Sequence, residues 1–291
     1  MVEPVRHLRD VFGGEPRPIA HRGLHDAGEG RIENTWPAFA EAIRQGFAIE
    51  CDIQASADGV PIVHHDSTLD RLTDEHGPLV ARTADQLAAI HYRAQDERLI
   101  ALEDLIERID GKVPLIVEIK TDWVRRDPVF IANTALACRR SRGPIAVKSF
   151  DPDAIAEFRN AAPGVMRGIV AGNYVAGNWW SACLSPERQA GLTHLFDRVR
   201  LDPQFISYHV GDLPSSVVRY LREVCGLAVM AWTVRTRADW DRAARYADAP
   251  VFEGLAVDIV QDLWRIWPSA PVDGQAGTGV GAHDPGSESD P

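Results

Sequence analysis

Two short runs place acidic side chains where a buried strand is expected. In AIECDI (48–53), Glu50 and Asp52 interrupt an apolar run. Residues i and i+2 of a strand project to the same side, so these carboxylates face together and Cys51 faces away. LIVEIK (115–120) repeats the device with Glu118 and Lys120. Three carboxylates brought together repel one another and resist desolvation unless positive charge sits among them. An all-oxygen donor set favours Mg²⁺ or Ca²⁺ over zinc, and Lys120 beside such an ion suits an anionic group such as a phosphate.

Two further runs add histidines. PIAHRG ends a strand with His21 and Arg22, and PIVHHD supplies His64, His65 and Asp66. Histidine exchanges protons near neutrality, and the planar fork of Arg22 matches phosphate oxygens. Strand alternation turns His64 and His65 to opposite sides, which leaves His65 as the candidate and His64 as its packed or solvent-facing neighbour. Each piece alone is ordinary: an H-R-G is a turn, and an acid at a strand end is a surface ion pair. Two i, i+2 pairs with two histidines nearby favour a metal site with an acid and a base. Lys148, His209, His25 with Asp26, and the pair Trp179–Trp180 are secondary candidates; for the last three, structural roles are the simpler expectation.

Such residues need a scaffold that gathers strand ends. The β-rich runs are PIAH (18–21), AIECDI (48–53), LIVEIK (115–120), IAVKSF (145–150), RGIV (167–170), FISYH (205–209), LAVMAWTV (227–234) and GLAVDI (254–259). Helical patterns separate most of them, for example WPAFAEAIRQG, ALEDLIERID and RADWDRAARYA. Eight largely apolar strands alternating with helices predict an α/β fold, the TIM (β/α)8 barrel, whose active site sits at the C-terminal strand ends. PIVHH stands outside that count. Its link to AIECDI is too short for a parallel crossover, and Asp58-Gly59 signals a turn, so it returns antiparallel and carries His65 toward Asp52. A small insertion after the second strand, about 54–110, is expected on the catalytic face. Residues 1–15 read as an N-terminal surface segment, 16–267 as the barrel domain, and 268–291, rich in Gly, Pro, Ser and Asp, as a disordered tail.

The net charge of -11 argues against a general nucleic-acid partner or an anionic-membrane binder. Four scattered cysteines show no metal-ligand spacing and read as buried thiols in a reducing compartment. The first residues lack the apolar stretch of a secretory signal, and no run approaches a membrane span. A cytoplasmic protein without integral membrane association is expected.

The order of these motifs is similar to that of the glycerophosphodiester phosphodiesterase family: AHRG, ENTWPAF (33–39), IECDIQASADGVPIVHHDSTLDRLT (49–73), VEIK (117–120), SF (149–150) and WTV (232–234). It resembles the bacterial subgroup with HRGLHD and a long link before ENT. The resemblance implies metal-dependent hydrolysis of a glycerophosphodiester to glycerol 3-phosphate and an alcohol. It implies Glu50, Asp52 and Glu118 as ligands of one divalent cation, Mg²⁺ or Ca²⁺, and His21 and His65 as the acid/base pair. Arg22 and Lys120 match phosphate-contacting positions, Glu33 and Asn34 match positions that organise the site, and Trp232 matches an aromatic near the substrate alcohol. The chain departs from the family at Arg235, where Asn is common, and at Val257-Asp258, where Thr-Asp is common. Two other functions fit the same residues: a lysophospholipase D-like enzyme with an apolar groove, and a non-catalytic barrel that binds a phosphoryl ligand.

Overall fold

A computed structural model describes residues 8–93, 96–123, 127–174 and 184–268. Its strands are β1 (Ile19–Ala20), β2 (Ala48–Ala55), β3 (Pro61–Val63), β4 (Leu115–Ile119), β5 (Ile145–Ser149), β6 (Met166–Ala171), β7 (Phe205–His209), β8 (Ala228–Val234) and β9 (Ala249–Phe252). Its α-helices are α1 (Leu8–Phe12), α2 (Trp36–Arg44), α3 (Ala84–Ala88), α4 (Leu102–Ile109), α5 (Pro128–Arg139), α6 (Pro152–Ala161), α7 (Pro186–Thr193), α8 (Arg198–Leu201), α9 (Ser216–Glu223), α10 (Arg237–Tyr246) and α11 (Val257–Arg265). All strands except β3 pair in parallel, and β1 bonds to both β2 and β9, which closes an eight-stranded barrel. This is the (β/α)8 barrel that the alternation of strands and helices predicts.

The barrel interior changes character from bottom to top. Near the strand N-termini, Ile19, Ala48, Ile116, Ala146, Phe205, Met230 and Val251 form an apolar plug. Gly168 leaves room for the Phe205 ring, which a Cβ there would meet at 2.3 Å. Val11 and Phe12 of α1 are buried against the same plug. The early segment expected on the surface therefore contributes to the interior, because its two apolar side chains close the bottom mouth. Above the plug, register sets Asp52 beside Glu118 and Glu118 beside Lys148 across β2, β4 and β5. Charge replaces hydrocarbon at the level where a barrel keeps its reactive groups.

β3 runs antiparallel to β2, as the short link requires, with Ile53 opposite Val63. Gly59 makes the return possible with φ of 75°, a conformation that costs little only without a Cβ. The chain from β3 to about residue 100 packs a small core of its own from Ile62, Leu69, Leu79, Leu87, Tyr92 and Leu99. α4 instead buries Leu102, Leu105, Ile106 and Ile109 in the main core between strands and helices. The insertion therefore ends before α4, short of the expected residue 110.

One predicted strand is misplaced. GLAVDI is not a strand: the barrel closes with β9 at Ala249–Phe252, and Val257 begins α11. The run from Val257 onward buries Val260 and Leu263, a helical spacing that its β-branched start obscures. The expected tail lies outside the described residues except for Pro268, as do residues 1–7 of the N-terminal segment. No helix among the described residues is long and apolar enough to cross a membrane.

Candidate active site

Glu50, Asp52 and Glu118 come together at the top of the barrel, each almost fully buried, with oxygens within 4.8 Å of one another. For Asp52 and Glu118, burial on its own would raise the pKa, yet the neighbours reverse the effect. Burial opposes ionisation of Asp52, but the Lys120 and Arg22 charges hold it well below the ordinary carboxylate range. Burial likewise opposes ionisation of Glu118, which Lys120 and Lys148 hold at about 2. Lys148 Nζ lies 2.9 Å from both Glu50 Oε1 and Glu118 Oε2. Lys120 Nζ is 2.9 Å from Asp52 Oδ1 and also pairs with Glu118. Lys148 thus points into the barrel and belongs to the charged cluster.

Loops with constrained backbones complete this level. Arg22 and Asn34 both occupy the left-handed region, with φ of 56° and 57°. Such positions are costly for non-glycine residues and persist where surrounding bonds over-determine them. Here the Asn34 backbone N–H donates to Arg22 O at 2.9 Å, and the Arg22 N–H donates to Glu50 Oε2 at 3.0 Å. Asn34 Nδ2 donates to Asp52 Oδ2 at 3.0 Å, while the Asp52 N–H donates back to Asn34 Oδ1 at 3.2 Å. Gly23 follows with φ of +77°; a Cβ there would meet Ala38 and Phe39 at 2.9 Å. The first strand exit, the ENT segment and the acidic strand are locked together by these bonds.

The two histidines have matching surroundings from different parts of the chain. His65 Nδ1 bonds Asp66 Oδ1 at 2.8 Å. Asp66 in turn accepts from Arg71, whose guanidinium also donates to Glu33 at 2.7 and 2.9 Å. Glu33 reaches Arg22 at 2.7 Å; burial would raise its pKa, but Arg71 and Arg22 hold it at about 2. On the other side, His21 Nδ1 bonds Glu253, the residue just after β9, and His21 Nε2 lies 4.0 Å from Glu50 Oε2. Arg235 Nε donates to Glu253 at 2.6 Å, and His25 Nε2 is 3.5 Å from the same carboxylate.

His64 is fully buried near the Tyr92 ring, with Nε2 at 3.2 Å from Thr68 O. Its partner position is set by the backbone bond from its N–H to Asp52 O. Emptying the Tyr92 site would cost about 3–5 kcal/mol and loosen the strand end that carries His65, since Tyr92 Oη also donates to Val63 O.

An open cleft of about 170 Å³ is lined by His21, Arg22, His65, Glu118, Lys120 and Lys148. Phe150, His209, Trp232, Thr233 and Arg235 close its other wall. The Trp232 ring meets Phe150 edge-on at 5.3 Å and His209 at 5.2 Å, and Trp232 Nε1 donates to Ser207 O. His209 Nδ1 also bonds Asp212 at 3.0 Å, so it keeps a structural bond while facing the cleft. Glu253 carries no signal of its own in the sequence, where the last strand reads as ending at Val257-Asp258. With β9 in its observed place, Glu253 is the acid at that strand end and Asp258 lies exposed in α11. Trp179 and Trp180 lie outside the described residues.

The acid triad fits one hard cation. Ca²⁺ holds its oxygens at about 2.3–2.6 Å, so oxygens up to about 5 Å apart can share it. Mg²⁺ requires a tighter octahedral set. The donor atoms are all carboxylate oxygens, a set that favours hard cations.

The sequence model described as the glycerophosphoryl diester phosphodiesterase family matches residues 21–257. A Bos taurus protein named glycerophosphodiester phosphodiesterase 1 is 41% identical over 192 residues, covering 58% of this chain and 54% of its own length. A Mycobacterium tuberculosis protein named probable glycerophosphodiester phosphodiesterase 1 is 28% identical over 177 residues, covering 53% and 64%. The chain thus spans less than two thirds of the length of these relatives. Among solved structures, an Oleispira antarctica phosphodiesterase in complex with the product sn-glycerol-3-phosphate superposes with a TM-score of 0.67 at 22% identity, over 86% of this chain and 97% of its own. A putative glycerophosphoryl diester phosphodiesterase from Silicibacter pomeroyi gives 0.68 at 22% identity, over 89% and 98%. The matched span begins just after β1, takes in β2 through β9 and includes every group described at the top of the barrel, and the chain belongs to the glycerophosphoryl diester phosphodiesterase family.

Proposed function

We propose that the chain hydrolyses a glycerophosphodiester to glycerol 3-phosphate and an alcohol, with one divalent cation, Mg²⁺ or Ca²⁺, held by Glu50, Asp52 and Glu118. The observation that carries this reading is one cleft lined by two carboxylate-held histidines and by Glu118, whose oxygens lie within 4.8 Å of those of the buried Glu50 and Asp52. When bound, the cation polarises a phosphoryl oxygen and spreads the charge that develops there. Arg22 and Lys120, both lining the cleft, supply donors to the remaining phosphoryl oxygens. Of His21 and His65, one accepts the proton of the attacking oxygen, from water or from the glycerol 2-hydroxyl, and the other protonates the departing alcohol oxygen; in the second case water then opens the cyclic phosphate. Glu33 and Asn34 act through others: Glu33 aligns Arg22 and Arg71, and Asn34 aligns Asp52.

Among the described residues, Trp232 and Phe150 form the apolar side of a cleft that is otherwise polar and small. That composition supports a compact, polar alcohol such as choline over an acyl chain, which needs a long apolar groove. It also favours catalysis over simple phosphoryl-ligand binding, since all five residues assigned to chemistry are present and close together. The fold relatives include one whose bound product is sn-glycerol-3-phosphate, which supports the same substrate class here. The experiment is hydrolysis of glycerophosphocholine beside lysophosphatidylcholine, with each metal. Faster release of choline from glycerophosphocholine supports the reading, and preference for the lysolipid overturns its substrate assignment.

A further inference from the structure

Glu253 gathers an unusual set of partners on one carboxylate. One oxygen faces His21 Nδ1 and His25 Nε2, the latter at 3.5 Å, and the other accepts from Arg235 Nε at 2.6 Å. The side chain is 17% exposed, whereas Arg235 is 58% exposed, so the arginine caps the carboxylate from the solvent side. Glu253 stays ionised despite burial, because His21 and His25 hydrogen bonding and the Arg235 charge stabilise the anion.

An ionised carboxylate can only accept, so neutral His21 must carry its proton on Nδ1. Nε2 is then left with its lone pair, on the ring edge that lies 4.0 Å from Glu50 and faces the acid cluster. Free neutral histidine has no such constraint, and a ring with the proton on Nε2 would present a donor where an acceptor is needed. The same connectivity recurs at His65, whose Nδ1 is held by the Asp66 carboxylate, which in turn accepts from Arg71. At His65 the three residues are near neighbours in sequence, whereas at His21 the parts come from β1, the end of β8 and the end of β9.

We propose that Glu253, capped by Arg235, is the positioning residue that fixes the Nδ1–H tautomer and ring orientation of His21. This rests on the phosphodiesterase reading above only for its kinetic consequence. Whichever role His21 takes, it then exchanges protons through Nε2 while Nδ1–H stays bonded to Glu253. Removing the partner that orients a functional histidine typically costs about 10- to 100-fold in activity.

Two readouts test it on the full chain. Long-range ¹H–¹⁵N spectra of ¹⁵N-histidine protein, with His21 assigned by its loss in His21→Gln, report the tautomer without substrate. Neutral His21 is expected as Nδ1–H in the wild type and to shift toward Nε2–H in Glu253→Met, which keeps the side-chain length and removes the acceptor. Wild-type His21 protonated on Nε2, or an unchanged tautomer in Glu253→Met, would overturn the proposal. With glycerophosphocholine, Glu253→Met should lower kcat by about 10- to 100-fold with KM within about twofold. Glu253→Gln, which keeps an oxygen acceptor, should recover part of the loss. A loss confined to KM would make Glu253 a substrate contact and refute the positioning role. If the wild type turns over no glycerophosphodiester, the functional reading fails, and the tautomer spectra still decide this one.

Discussion

Lys148 Nζ stands 2.9 Å from Glu50 Oε1 inside the barrel, with both side chains at 2% exposure or less. Glu118 shares the same ammonium, so a single lysine counters two of the three acids proposed to hold the cation. Burial works against the lysine charge, and Glu50 and Glu118 more than reverse it, raising its pKa.

Removing that ammonium should therefore be costly. Lys148→Met is expected to destabilise the metal-free protein by about 3–5 kcal/mol, the loss typical of a buried ion pair stripped of one partner. Mg²⁺ or Ca²⁺ should raise the melting temperature of the variant more than that of the wild type, because the cation supplies the missing positive charge. Urea unfolding and thermal shifts with each metal measure both effects. A variant as stable as the wild type would show that the two acids need no counter-charge.

The two histidines should affect rate and leave the fold intact. His21→Ala and His65→Ala are each expected to lower kcat by about 10²–10⁴-fold, the range for removal of a general acid or base. Both rings line the open cleft, so melting temperatures should stay close to that of the wild type. Steady-state kinetics beside calorimetry separates this outcome from simple unfolding. Full activity in either variant would contradict the assignment.

His64 offers a pH-dependent test of the insertion. Burial lowers its pKa from the ordinary 6.5 in the folded protein. The unfolded chain therefore binds a proton first as pH falls, so this contribution to stability is complete above 6.5 and is lost below it. Urea unfolding between pH 7.5 and pH 5.5 should show a steeper loss for the wild type than for His64→Gln, which keeps a donor for Thr68 O. Equal slopes would mean that His64 becomes charged as readily in the folded state.

Much of this organisation is legible in the residues, and the failures have physical causes. Strand periodicity was enough to set Glu50 and Asp52 inward and Cys51 outward, where Cys51 joins the core beneath the helices. The short Asp58-Gly59 link required a hairpin, which exists. By contrast, β9 has only four residues and contains Pro250, so its signal is weaker than that of the helical run after it. That error concealed Glu253, whose bond to His21 spans 232 positions and leaves no local pattern. Arg71 is a similar case: nothing near it in sequence signals that it joins Asp66 to Glu33. The inward orientation of Lys148 follows from register with Glu118, which only pairing of β4 with β5 supplies.

Under the proposed function, Glu50, Asp52 and Glu118 hold a divalent cation required for phosphodiester hydrolysis. The most direct test is choline release from glycerophosphocholine by protein stripped with EDTA and then resupplied with Mg²⁺ or Ca²⁺, beside the Glu118→Gln variant. Activity should vanish on stripping, return with one of the two ions, and stay absent in the variant at the same metal concentration. Hydrolysis that persists after stripping, or in the variant without added metal, would contradict the account.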